Sequence, residues 1–406
     1  MTTAHAWAFK ASFRRNAFGW RGSRKAIERL DEALGEIARM ARTDPALAGE
    51  GAVLLLEKVS PALCGVDSSS GALGSAMEAV VQTLAPQIAA APVPGRVREK
   101  WLERLFEAYQ EDDPPYIESL GDHGGALCAE PALASRWADK LLPLVQLVMA
   151  DRGHGIHAYA KAATLCFSAL FQAGRLDELL EVLALDPKPY WHDRQWAARV
   201  LAARGDVDGA VRLIEALRSR YAPDAALSAM AEQMLLDAGR TEEAYAHYGV
   251  VATCANTHIA TFRTIAKRYP GIEPQRILGD LIASTPGEEG KWFATAKTLK
   301  QYDLALALAR RSAVDPKTLV RAARDHVKTQ PAFALDVALT ALHWMAGGAG
   351  HEITGADVCA ARDHALAAGE TLGLGALVGA RIADDVAGDS PTARWVRQCL
   401  GLERSA

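Results

Sequence analysis

An all-α fold, built as a right-handed α-solenoid of helical hairpins, is what this sequence predicts, and three observations predict it. The first is a turn that recurs: Ala173-Gly174-Arg175-Leu176-Asp177-Glu178, Arg204-Gly205-Asp206-Val207-Asp208 and Ala238-Gly239-Arg240-Thr241-Glu242-Glu243. Its glycines stand about 31 and about 34 residues apart, the length of a two-helix unit that buries its apolar face against its neighbours. Weaker echoes follow at Gly271, Lys300 and Gln330. The second observation is composition: half of the 406 residues are apolar and 23% are charged, the balance of a folded chain. The third is spacing, because apolar positions step by three and four while period-two alternation is nearly absent.

The elements follow in order. Ser23 is expected to cap a helix whose inward face is Ile27, Leu30, Leu34, Ile37 and Ala41. Asp44 caps the next, with Pro45 at its first position, where a missing N–H costs nothing. The same Asp-Pro device at Asp186-Pro187 and Asp315-Pro316 is expected to mark unit boundaries. A helix over 96–111 carries the stripe Val97, Trp101, Leu105 and Tyr109, widened by Leu102 and Phe106. The glycines from Gly121 to Gly125 read as a loop, and Pro131 opens a helix that Pro143 is expected to kink. Shorter helices close the chain over 356–370, 372–385 and 391–400. The organisation expected is a basic aromatic arm (1–22), a helical N-terminal region (23–152), hairpin repeats (153–347) and a helical C-terminal cap (348–406).

Within the repeats, Gly205 and Gly239 are each followed five residues later by alanine, Ala210 and Ala244. A second helix crossing the first closely leaves room for nothing larger. Tyr248 lies four beyond Ala244, and Pro223 ends its unit. At these positions the repeat resembles the tetratricopeptide pattern. Gly174 is followed by Leu179 and Gly271 by Arg276, while Lys300 takes the glycine position with Ala305 restoring the small residue. The resemblance implies stacked hairpins and carries no chemistry. The chain also resembles a bacterial protein family of unknown function.

The net charge of −4 conceals an asymmetry: no acidic residue precedes Glu28, whereas Lys10, Arg14, Arg15, Arg21, Arg24 and Lys25 are all basic. Transit peptides share that composition, but a cytoplasmic location is expected. The opening stretch lacks the apolar core of a secretory signal. The longest nearly uncharged apolar stretch, 141–150, is far short of the roughly 20 residues a membrane helix needs, so no membrane association is expected. Six cysteines are scattered singly, which fits reduced thiols rather than a disulfide framework.

Candidate chemistry is sparse. Trp7, Phe9, Phe13, Phe18 and Trp20 are interleaved with the six N-terminal cations, a composition that suits unpaired nucleic acid, since cations neutralise phosphates and rings stack on bases. The competing and favoured reading is an arm whose aromatics dock on the first helices while its cations stay solvated. His154, His157, Cys166 and His192 do not supply the three or four converging ligands of a metal site. Arg152 with His157, and Arg321 with His326, have the arginine-histidine spacing of a helical ribonuclease class, which makes ribonuclease activity the least favoured alternative. Thr285 is expected to cap a helix with Glu288 as its capping-box partner. Trp191, Trp196, Trp292 and Trp344 are expected to fill gaps between units.

The function expected is therefore a non-enzymatic protein-protein interaction scaffold, without cofactor or metal. A partner segment would lie on the concave face against Arg194, Trp196, Arg199, Tyr245, Arg263 and Lys267. Nucleic-acid binding through Lys10, Arg14, Arg15, Arg21, Arg24 and Lys25 is the alternative.

Overall fold

The computed structural model describes residues 5–154, 159–187, 190–218, 224–253, 255 and 257–402. Every regular element among them is helical, and no helix among them is long and apolar enough to cross a membrane. The chain forms two compact units, Met1–Leu217 and Arg218–Ala406. Their boundary falls inside the segment expected as one run of repeats.

The first unit contains α1 (Ser23–Ala41), α2 (Pro45–Leu63), α3 (Ala72–Ala90), α4 (Gly95–Gln110), α5 (Leu120–Leu127), α6 (Pro131–Gly153), α7 (Ala163–Gln172), α8 (Leu176–Ala184), α9 (Trp191–Ala203) and α10 (Val207–Ala216). Asp44 caps α2 as expected, its Oδ1 accepting from the Leu47 N–H at 2.9 Å. Ser23 does not cap α1. It lies inside the first turn, after Gly22, and its hydroxyl donates to the Asp67 carbonyl at 3.4 Å. The α4 stripe is buried at Trp101, Leu102, Leu105 and Tyr109, and α6 runs uninterrupted through Pro143. No helix starts at Asp186-Pro187; α9 begins only at Trp191.

The stretch from Gly121 to Gly125 is a helix, not a loop. Its glycines are not there for turning: α5 packs on α7 so closely that a Cβ on Gly125 would collide with the Ser168 carbonyl oxygen, and one on Gly124 with the Leu165 side chain. The Ser168 hydroxyl fixes the contact by accepting from the Gly125 N–H at 2.8 Å and donating to the Asp122 carbonyl at 2.9 Å.

The second unit contains α11 (Asp224–Asp237), α12 (Thr241–Ala244, running on as a π turn over Tyr245–Gly249), α13 (His258–Arg268), α14 (Pro274–Ala283), α15 (Phe293–Thr298), α16 (Tyr302–Arg311), α17 (Pro316–His326), α18 (Pro331–Ala346), α19 (Gly355–Thr371), α20 (Gly375–Asp385) and α21 (Pro391–Cys399). Asp315 caps α17 by accepting from the N–H groups of Lys317 and Thr318. The α18 helix is buried along most of its length, between α16, α17 and α19.

The recurring turn has one physical form in both units. Gly174, Gly205 and Gly239 have φ of 73°, 87° and 74°. At each, the next residue's N–H reaches back to the carbonyl five residues earlier: Arg175 to Leu170, Asp206 to Leu201, Arg240 to Leu235. This is the Schellman closure, which satisfies carbonyls at a helix end and needs a left-handed residue. Lys300 occupies the same conformation at φ 60°, with Gln301 bonded to Ala296. Gly271 and Gln330 do not, so those echoes are turns of another kind. The position five residues on is fully buried in all four copies, at Leu179, Ala210, Ala244 and Ala305.

Two outcomes follow from the turn's conformation. Lys300→Gly is expected to raise the second unit's stability by about 0.5–1 kcal/mol, because the exposed lysine is held where L-residues are strained. Gly205→Ala is expected to lower the first unit's stability by about 1 kcal/mol. Urea titrations with unchanged m-values check both.

Candidate partner-binding cleft

The N-terminal arm is a docked segment of the first unit. Trp7, Phe9, Phe13 and Phe18 are all buried. Trp7 lies over Gly51 of α2, where any Cβ would strike the indole. Glu36 of α1 accepts from the N–H groups of Ala8 and Phe9 at 2.9 and 3.1 Å. Further along, Asn16 N–H donates to the Pro61 carbonyl at 3.0 Å and Asp67 N–H to the Trp20 carbonyl at 2.9 Å. Trp20 alone of the five aromatics is exposed, at 67%.

With the rings turned inward, the cations point out. Lys10, Arg14, Arg15, Arg21, Arg24 and Lys25 are all exposed, and Arg24 pairs with Glu28 at 3.1 Å. Three of them join α2 in forming a cleft of about 480 Å³, lined by Trp7, Lys10, Ala11, Phe13, Arg14, Arg15, Glu57, Lys58 and Pro61. Its single carboxylate, Glu57, is already committed to Arg104 of α4 at 2.7 Å, and Arg104 also holds Glu50 at 2.7 Å. Among the described residues Lys10, Arg14, Arg15 and Lys58 form no ion pair. The cleft is therefore an unneutralised cationic surface, and the Trp7 and Phe13 rings at its base are themselves almost wholly buried. A smaller depression of about 280 Å³ adjoins it, sharing Glu57, Lys58 and Pro61 and adding Arg104, Glu107, Ala108 and Glu111.

The residues expected on a concave face divide between the two units. Arg194, Trp196 and Arg199 belong to the first unit, Tyr245, Arg263 and Lys267 to the second. Two of them are corrected from exposed contacts to interior side chains. Trp196 is 1% exposed, packed against Phe171 and covered by the Arg199 guanidinium at 4.3 Å from the ring centre. Tyr245 is 3% exposed, stacked edge-on against Tyr269, and its hydroxyl donates to Asp280 at 2.6 Å. Both fill gaps between helices, because an aromatic ring buries more apolar area there than any other side chain. Arg194 is half-buried, and Arg263 and Lys267 are exposed one turn apart on α13.

Behind α9 lies a polar seam. Gln195 donates to Asp122 at 3.4 Å and accepts from Arg199 at 3.5 Å. Burial pushes the Asp122 carboxyl up and the His123 and Arg199 groups down from their ordinary values. Arg152 forms a buried pair with Asp193 at 2.9 Å.

His154 is exposed at the end of α6, His157 lies outside the described residues, and no cluster of three metal-ligating side chains occurs among the described residues. His326 packs between Tyr302 and Phe333 with Nδ1 2.8 Å from the Ala322 carbonyl, while Arg321 bonds its own helix. Thr285 caps nothing ahead of it. Its hydroxyl accepts from Trp292 Nε1 at 2.9 Å, which anchors the indole. Trp292 is buried, whereas Trp191 and Trp344 are half-buried.

Sequence reasoning missed the α2 side of the cleft, namely Glu57, Lys58 and Pro61. A signal was present, since Glu57 and Lys58 are the only charges between Glu50 and Pro61 in an otherwise apolar helix. Comparison with protein-family models, with curated proteins and with solved structures finds no match.

Proposed function

We propose that this protein is a non-enzymatic interaction scaffold whose N-terminal cleft holds an acidic segment of a partner protein. Within each unit the hairpins are tetratricopeptide-like and wind in a right-handed sense. The cleft's charge carries the functional reading: Lys10, Arg14, Arg15 and Lys58 without carboxylate partners, around a floor of Trp7 and Phe13. Such a surface favours carboxylates by charge. The buried rings favour protein over single-stranded nucleic acid, because Trp7, Phe9, Phe13 and Phe18 have no free face for a base. Nucleic-acid binding draws on one observation, exposed Trp20 beside Arg21, Arg24 and Lys25.

The test is fluorescence anisotropy with a labelled glutamate-rich peptide and a labelled single-stranded oligonucleotide. The peptide is expected to bind, and combined Lys10→Glu, Arg14→Glu and Arg15→Glu substitutions to weaken it by about tenfold or more. Undiminished peptide binding in that variant removes the cleft as the site. Tighter binding of the oligonucleotide, falling log-linearly with salt and lost in Trp20→Ala, assigns the arm to nucleic acid instead.

A further inference from the structure

Of the five described cysteines, two share one small region of the second unit. The α21 helix packs on α18 and α19, and there the Cys359 Sγ lies 3.7 Å from the Cys399 carbonyl oxygen. The Cys399 Sγ lies 3.4 Å from where a Cβ on Gly355 would stand. Gly355 and Cys359 are one helical turn apart on the same face of α19. The Cys399 thiol therefore sits over the strip of α19 from which Cys359 projects. Both residues are half-buried and so reachable from solvent.

We propose that Cys359 and Cys399 are a reversible redox pair, a modification site at which a low-molecular-weight disulfide converts two thiols into a cross-link between α19 and α21. The Cys359 thiolate attacks one sulfur of the small disulfide, forming a mixed disulfide and expelling one small thiolate. The Cys399 thiolate then attacks the Cys359 sulfur, forming the Cys359–Cys399 bond and expelling the second. The protein loses two electrons, the small disulfide gains them, and the two protons of the protein thiols pass to the two departing thiolates. Burial and the neighbouring Cys359 push the Cys399 thiol up, and in the second, intramolecular step proximity offsets the lower thiolate fraction.

The other described thiols are poorly placed for this. Cys128 and Cys166 are buried, and burial pushes each up to about 12. Cys64 is exposed but sits in the first unit, against the Asn16 side-chain oxygen. The cross-link matters because α21 buries only Ala393 and Val396. So few buried contacts leave this helix among the first to open, and a bond to α19 fastens it.

The experiment uses the full chain carrying Cys64→Ser and Cys254→Ser, treated with oxidised glutathione and then alkylated. Mass spectrometry is expected to find two hydrogens lost, a peptide joined through Cys359 and Cys399, and full reversal by dithiothreitol. Hydrogen exchange of the α21 amides is expected to slow by about tenfold or more on oxidation, and not at all when Cys359→Ser is added. Recovery of both cysteines as separate glutathione adducts, or as unmodified thiols, overturns the proposal. So does a joined peptide that leaves α21 exchange unchanged.

Discussion

Gly125→Ala lowers the stability of the first unit by about 3 kcal/mol or more. An added methyl inside a packed core ordinarily costs about 1–3 kcal/mol because neighbouring side chains shift to admit it. At Gly125 the obstruction is the Ser168 carbonyl on α7, and a helix backbone cannot rotate out of the way. Separating α5 from α7 also breaks both bonds of the Ser168 hydroxyl. The control is Gly35→Ala in α1, where the nearest atom to a new Cβ is the flexible end of Arg39 at 3.6 Å. That substitution raises stability by about 0.5–1 kcal/mol through helix propensity. The same Gly→Ala change thus has opposite signs at two helical positions, measurable as opposite shifts of the urea midpoint. Equal shifts would show that α5 and α7 are not in backbone contact.

Arg98→Leu also costs about 3 kcal/mol or more. Arg98 lies on α4, is 5% exposed, and spends its guanidinium on the carbonyls of Ile88 and Ala91 at the end of α3 and of Leu127 at the end of α5. Helix C-termini leave carbonyls without partners, and this one side chain serves two of them. Leucine fills much of the space but donates nothing, so three carbonyls lose charge-assisted bonds in a region water does not reach. Arg98→Lys recovers only part of the loss, because an ammonium cannot span the three oxygens as a planar fork does. Equal stability of the lysine and arginine proteins would contradict this account of the contact.

How far the sequence could be read depends on what each residue answers to. The Schellman glycines were legible because a left-handed φ is a local requirement, and the small residue five positions later because hairpin geometry repeats. Asp44 and Asp315 were legible for the same local reason. Gly121 to Gly125 were misread because low helix propensity was weighed without α7, the helix against which the glycines are packed. Thr285 was misread because its partner, Trp292, comes from the following turn rather than from the helix it was meant to start. In the candidate site, the cations of the arm and the docking of its rings were foreseeable from composition alone. The cleft was not, since it exists only where the arm meets Glu57, Lys58 and Pro61 of α2. Trp196 was expected both as a gap filler and as a concave-face contact, and Tyr245 as a concave-face contact; only packing partners decide which face of such a helix is interior.

The central claim is that an acidic partner segment sits in the N-terminal cleft rather than on a face of the repeats. Its most direct test puts a photo-crosslinking residue at Ala11, on the cleft wall, and, in a separate protein, at Lys267 on α13. Each is irradiated with the glutamate-rich peptide and the joined fragments are mapped. A cross-link from position 11 that vanishes with excess unlabelled peptide, with none from position 267, is the result expected. A cross-link from position 267 alone would contradict the cleft and return the binding site to the repeats.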